Sequence, residues 1–105
     1  MSIYADYRSQ VTASETLEQL MHAMDGACEK TIQLLEEVDE KLAKIKLVAD
    51  TCMQVPSFSG FMPMASLKKT YFALAEYRLQ VTREFRELQA QASAKADAFT
   101  TGPVN

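Results

Sequence analysis

Apolar residues recur at alternating intervals of three and four positions between Leu17 and Cys52. A repeat of about 3.5 residues keeps one apolar stripe on one side of a helix and is typical of a left-handed coiled coil. The pattern therefore predicts one long helix that packs against a partner helix. Its apolar seam, in which Thr31 is the only polar member, is Leu17, Met21, Met24, Cys28, Thr31, Leu35, Val38, Leu42, Ile45, Ala49 and Cys52.

A second series with the same spacing follows in the C-terminal half of the chain. It predicts a second long helix, whose seam is interrupted by one charged residue, Arg78. A flanking stripe of Phe72, Ala75 and Leu79 widens this apolar face. The members of the second seam are Met64, Leu67, Tyr71, Leu74, Arg78, Val81, Phe85, Leu88 and Ala92.

Local signals define the ends of the two predicted helices. Thr12 and Glu15 have the spacing of a capping box, in which each residue bonds to the backbone of the other. Pro56 disfavours a helical residue before it, and Pro63 suits the first turn of a following helix. We therefore expect an N-terminal arm at 1–11, a helical hairpin at 12–98 with helices 12–55 and 63–98 around a turn at 56–62, and a flexible tail at 99–105.

The two predicted helices are joined by a short turn, so we expect them to fold back on each other. In the expected register, an acidic cluster around Asp39 lies beside Arg78 and Arg83. The predicted fold class is all-α, a long antiparallel helical hairpin of the coiled-coil type.

Further apolar residues lie outside the two seams. Leaving them in water is unfavourable, so we expect the hairpin to self-associate into a four-helix bundle or to bind a similar helical protein. The residues expected to form this oligomer seam are Leu20, Ala27, Ile32, Leu34, Val48, Phe72 and Leu79.

Composition and charge narrow the possible functions. The chain has 105 residues, enough for one small domain, and a net charge of −3 with lysines and arginines interleaved among acids, which argues against a nucleic-acid partner. No apolar run approaches the ~20 residues of a membrane span. The first residues lack the basic and apolar regions of a signal peptide, so we expect a cytoplasmic protein, with signal-peptide-independent secretion left open.

Cys28 and Cys52 both fall on the first seam. At ~1.5 Å of rise per residue they lie roughly 36 Å apart on one helix, too far for an intramolecular disulfide. We expect them to be buried, reduced thiols, with a bridge between the Cys28 residues of two parallel chains as the alternative. One histidine and two such cysteines lack metal-ligand spacing, so no metal or other cofactor is predicted.

His22, the only histidine, is followed one helical turn later by Gly26. This His-x-x-x-Gly pattern resembles the phosphorylated segment of histidine-phosphotransfer domains. The resemblance implies a phosphoacceptor at His22 and, at Gly26, space for a docked response regulator. Asp25 stands where that family usually has lysine. The alternative is an exposed helical histidine without a catalytic role.

The sequence Phe58-Ser59-Gly60 lies between the two predicted helices. It resembles the turn of the WXG100 family of small secreted helical hairpins, with Phe58 in place of tryptophan. The resemblance implies a secreted hairpin. The export signal of that family, Tyr-x-x-x-Asp/Glu, has no counterpart at Tyr77, which is followed four residues later by Val81.

Apolar residues are also concentrated around the predicted turn, although turns are usually polar. Phe58 and Phe61 either plug the end of the bundle or form a contact surface for a partner. The candidate partner-contact residues are Phe58, Phe61, Met62 and Met64. Because no catalytic constellation is visible, we expect a non-enzymatic interaction module: an adaptor, a small chaperone or a structural subunit.

Overall fold

The structure, a computed structural model, describes residues 2–54 and 64–100. Three helices occupy these ranges: α1 at Ala5–Ala13, α2 at Leu17–Gln54 and α3 at Met64–Thr100. The described part of the chain contains no strand, which confirms the all-α prediction. The turn expected at 56–62 lies outside the described residues. The expected tail at 99–105 starts inside α3, and its residues from 101 onward also lie outside.

The expected N-terminal arm forms a helix of its own. α1 continues through Thr12, whose hydroxyl donates a hydrogen bond to the Arg8 carbonyl oxygen at 2.9 Å. The chain leaves α1 at Ser14, which has an extended backbone with ψ of 128°. The capping box expected at Thr12 is therefore wrong. α1 ends two residues beyond the expected boundary of the arm, and its Val11 is fully buried.

Helix α2 begins at Leu17 and uses a different pair of capping residues. The Thr16 hydroxyl accepts a hydrogen bond from the Gln19 N–H at 3.1 Å. The Gln19 side-chain oxygen accepts one from the Glu15 N–H at 2.8 Å. Thr16 and Gln19 have the same spacing as the expected box, displaced by four residues. They satisfy one backbone donor in the first turn of α2, the Gln19 N–H, and one ahead of the helix, the Glu15 N–H.

Contacts divide the chain into two compact units. The first comprises Met1–Gln33 and Val81–Asn105, and the second comprises Leu34–Gln80. The core of the first unit combines side chains from its helices and from Tyr4, which precedes α1. These side chains exclude water almost completely; they are Tyr4, Val11, Leu20, Ala23, Ala27, Leu88 and Ala92.

The buried face of α2 in the first unit differs from the predicted seam. Leu17 and Met21 are 42% and 58% exposed, and Cys28 is also exposed. Burial falls on three residues outside the seam, Leu20, Ala23 and Ala27, and on one seam residue, Thr31. A helix of 3.6 residues per turn keeps positions spaced by four on one face, and α1 packs on the side of this face. The expectation of a buried Cys28 is wrong for this reason, while the side chain of Cys52 lies outside the described residues.

In the second unit, burial follows the predicted seam more closely. Val38 is buried, and Leu42, Ile45 and Ala49 are half-buried. Arg78 Nε donates to Asp39 Oδ1 at 2.8 Å, which confirms the expected proximity of Asp39 to Arg78. This hydrogen bond and the attraction of the carboxylate raise the pKa of the Arg78 guanidinium.

Candidate functional site

α1 packs closely on α2 at Gly26. A Cβ atom at this position would lie 3.0 Å from Tyr7 Cε1 and 3.6 Å from the Tyr7 hydroxyl. Glycine is unfavourable inside a helix, but its missing side chain allows the tyrosine ring to approach the α2 backbone. The glycine therefore serves the docking of α1.

A buried hydrogen bond joins the start of α1 to the middle of α2. The Thr31 hydroxyl donates to the Ala27 carbonyl oxygen at 2.7 Å, so the Tyr4 hydroxyl, 2.5 Å away, is the donor to Thr31 Oγ1. Tyr4 is fully buried and Thr31 nearly so. This hydrogen bond satisfies the buried hydroxyl of Thr31, the only polar residue of the seam predicted for α2.

Charged side chains hold the segment before α1 in place from both sides. Glu84 Oε1 accepts hydrogen bonds from the Ser2 hydroxyl at 2.8 Å and from the Ile3 N–H at 3.0 Å. Lys30 Nζ donates to the Ile3 carbonyl oxygen at 2.8 Å and stands 5.8 Å from the centroid of the Tyr4 ring. The Glu84 carboxylate therefore binds the backbone N–H of Ile3, and the Lys30 ammonium group binds the carbonyl oxygen of the same residue.

The environment of His22 offers little to a phosphoryl group. His22 is exposed beside α1, in a depression that it shares with Gly26 and with the acids Asp25 and Glu29. The space that the phosphotransfer resemblance requires at Gly26 is occupied by Tyr7. A phosphorylated imidazole would also face two carboxylates, which repel its negative charge.

An apolar stripe on α2 remains exposed in the first unit. The stripe consists of Leu17, Met21, Cys28 and Ile32. These residues are separated by four, seven and four positions, so they lie on one side of the helix. Gly26 lies against Tyr7 of α1, and Lys30 bonds to Ile3, just before α1. Each of the two is two positions from Cys28 in sequence, which is a rotation of about 200° around the axis of α2. The stripe is therefore on the opposite side of α2 from α1. We call it the α2 stripe, formed by Leu17, Met21, Cys28 and Ile32.

A concave surface lies between α2 and α3 in the second unit. It encloses about 440 Å³ and has mainly apolar walls with one lysine from each helix. Phe72 is 64% exposed and Tyr71 39% exposed, so both present aromatic surface to solvent. We call it the lysine-flanked groove, lined by Ile45, Lys46, Ala49, Leu67, Lys68, Tyr71 and Phe72.

The residues expected in the oligomer seam divide into three groups by burial. Leu20 and Ala27 lie in the core of the first unit, against α1 and α3, because the buried face of α2 is rotated from its expected position. Leu34 is half-buried. The exposed members are Ile32, Val48, Phe72 and Leu79.

The candidate contact residues of the turn cannot be placed. Phe58, Phe61 and Met62 lie outside the described residues, and Met64 begins α3 but its side chain lies outside as well. The sequence reasoning did not single out Lys46 and Lys68. A signal was present, since residues 41–72 contain five lysines and one aspartate in a chain of net charge −3.

Within 2–54 and 64–100, no group of three or more histidine, cysteine, aspartate or glutamate residues could hold a metal ion. None of the helices in these ranges has an apolar stretch that would span a bilayer. The chain matches no protein-family model, and no curated protein or solved structure is significantly similar to it.

Proposed function

We propose that the chain is a non-enzymatic helical protein–protein interaction module that self-associates through the α2 stripe. In this proposal an antiparallel α2–α3 hairpin is the subunit, and two subunits pair their stripes as the helices of a bundle do. The observation that carries it is the exposure of large apolar side chains at helical spacing on a side of α2 that α1 leaves uncovered.

The pattern of contacts in the second unit supports the hairpin. Asp39 on α2 pairs with Arg78 on α3, while Ala49, further along α2, lines the same groove as the earlier α3 residue Leu67. Positions that advance along α2 thus meet positions that recede along α3, as expected for antiparallel helices.

The energetics favour covering the α2 stripe. Leu17, Met21 and Ile32 are 42%, 58% and 57% exposed. Full burial of such a side chain contributes about 1.5–3 kcal/mol, so burying the exposed half contributes roughly 1 kcal/mol per residue in each subunit. This gain offsets only part of the cost of association, and a stable dimer requires contacts beyond the stripe.

Phosphotransfer has weaker support, because Tyr7 fills the space beside Gly26 and two acids flank His22. The secreted-hairpin resemblance depends on Phe58, outside the described residues. Cytoplasmic localisation remains a prediction from the sequence.

Light scattering of the full chain at micromolar concentration tests self-association. We expect at least a dimer mass for the wild type and a monomer mass for Met21→Ser combined with Ile32→Ser, with unchanged helical circular dichroism. Leu47→Ser is the matched control, since Leu47 is 67% exposed on the same helix but outside the stripe. A monomeric wild type, or equal dissociation by the control, would refute the proposal.

Cys28 provides a positional test of the same interface. In a Cys52→Ser background, mild oxidation should yield a disulfide-linked dimer if two stripes pair in parallel, since a disulfide requires Cα atoms within about 7 Å. An antiparallel pairing that superposes the two stripes places Leu17 opposite Ile32 and Cys28 opposite Met21, so it would give the dimer mass without efficient cross-linking. The experiment thus distinguishes the two orientations of stripe pairing.

A further inference from the structure

The lysine-flanked groove combines a concave apolar surface with positive charge on both of its sides. Lys46 lies on the α2 side and Lys68 on the α3 side, and they line the groove together with Ile45, Leu67 and Phe72. Both lysines are exposed, so their ammonium groups remain hydrated while the groove between them is largely apolar. A ligand for this surface needs apolar side chains at its centre and negative charge at its edges.

We propose that the lysine-flanked groove binds an acidic amphipathic helix of a partner protein, with aliphatic or aromatic anchors in the groove and carboxylates facing Lys46 and Lys68. Helices commonly bind in this way, laying an apolar face into a groove through anchors spaced by three and four residues. The inference deepens the proposed function by naming a class of partner. The groove belongs to the second unit and the α2 stripe to the first, so the two sites can be tested separately.

The shape and charge of the groove favour this partner over two others. A concave surface accepts projecting side chains, whereas a membrane-binding helix lies in the bilayer interface and buries its own apolar face there. A basic helix would place like charges opposite Lys46 and Lys68. The net charge of the surrounding sequence is also positive, since residues 41–72 contain five lysines and one aspartate.

The binding experiment uses the full chain and a synthetic amphipathic helix with leucines on one face and glutamates on its flanks. Fluorescence anisotropy should show saturable binding that weakens as the salt concentration rises. A control peptide with every glutamate replaced by lysine should bind at least about tenfold more weakly. Equal binding of the two peptides, or binding of neither, would overturn the proposal.

Two pairs of variants locate the binding site. Lys46→Glu with Lys68→Glu should reverse the preference between the two peptides. Lys41→Glu with Lys69→Glu makes the same change in charge on exposed lysines outside the groove and should preserve it. Phe72→Ser should weaken binding by about tenfold or more, and Leu79→Ser, at a residue of similar exposure outside the groove, should not. A control pair that acts as strongly as the groove pair would contradict the assignment.

Two further measurements separate the competing occupants. Sedimentation with vesicles containing phosphatidylglycerol should leave the protein in solution, and vesicle binding that Phe72→Ser abolishes would overturn the proposal in favour of a membrane. Light scattering on the same samples should show that Phe72→Ser leaves the oligomer mass unchanged. A loss of mass would instead assign the groove to a second copy of the chain, while lost peptide binding at unchanged mass separates this site from the α2 stripe.

Discussion

Replacing Gly26 with alanine tests whether α1 docks on α2 through Tyr7. Alanine is more favourable than glycine inside a helix by about 1 kcal/mol. The new methyl carbon would lie 3.0 Å from Tyr7 Cε1, so the ring must shift by a few tenths of an ångström. Overpacking of this kind costs about 1–3 kcal/mol. We therefore expect Gly26→Ala to leave stability unchanged or to lower it by up to ~2 kcal/mol.

The effect should change sign when the ring is absent. In a Tyr7→Ala background the methyl group meets no aromatic ring, and Gly26→Ala should raise the free energy of unfolding by about 1 kcal/mol. The coupling between the two substitutions is then about 1–3 kcal/mol, well within the range measured for residues in contact.

Urea denaturation monitored by far-ultraviolet circular dichroism measures all four proteins of this cycle, at one protein concentration because self-association would add to stability. Equal stabilisation by Gly26→Ala in both backgrounds would show that Tyr7 does not contact Gly26 in solution. Without that contact, the space beside Gly26 that phosphotransfer at His22 requires would be open.

Three further stability measurements follow from the described contacts. Leu88→Ala should lower the free energy of unfolding by ~2–5 kcal/mol, because Leu88 is fully buried in the first unit; a cost under 1 kcal/mol would contradict that core. Tyr4→Phe removes the donor to Thr31 and should cost about 1 kcal/mol in urea melts, whereas a neutral result would argue against the buried hydrogen bond. Arg78→Ala should cost no more than ~1 kcal/mol, since Arg78 and Asp39 are about half exposed, and a larger loss would reveal packing beyond the ion pair.

The sequence predicts the two long helices and their approximate bounds because the signals for a helix lie within the helix itself and in the few residues around its ends. A period near 3.5 residues, together with Pro56 and Pro63, predicted two long helices, and the structure has α2 and α3 in the corresponding ranges. The charge pattern also brought Asp39 and Arg78 together correctly. These signals depend on spacing and on backbone chemistry within a few residues.

Tertiary packing determined which face of α2 is buried. The residues of α1 lack a clear helical period, so the sequence did not show that Tyr4, Tyr7 and Val11 would pack against one side of α2. That contact draws Leu20 and Ala27 into the core and leaves Met21 and Cys28 exposed, because neighbouring positions on a helix differ by 100°. The α2 stripe and the lysine-flanked groove both depend on which helix faces meet, which only the packing of distant segments decides.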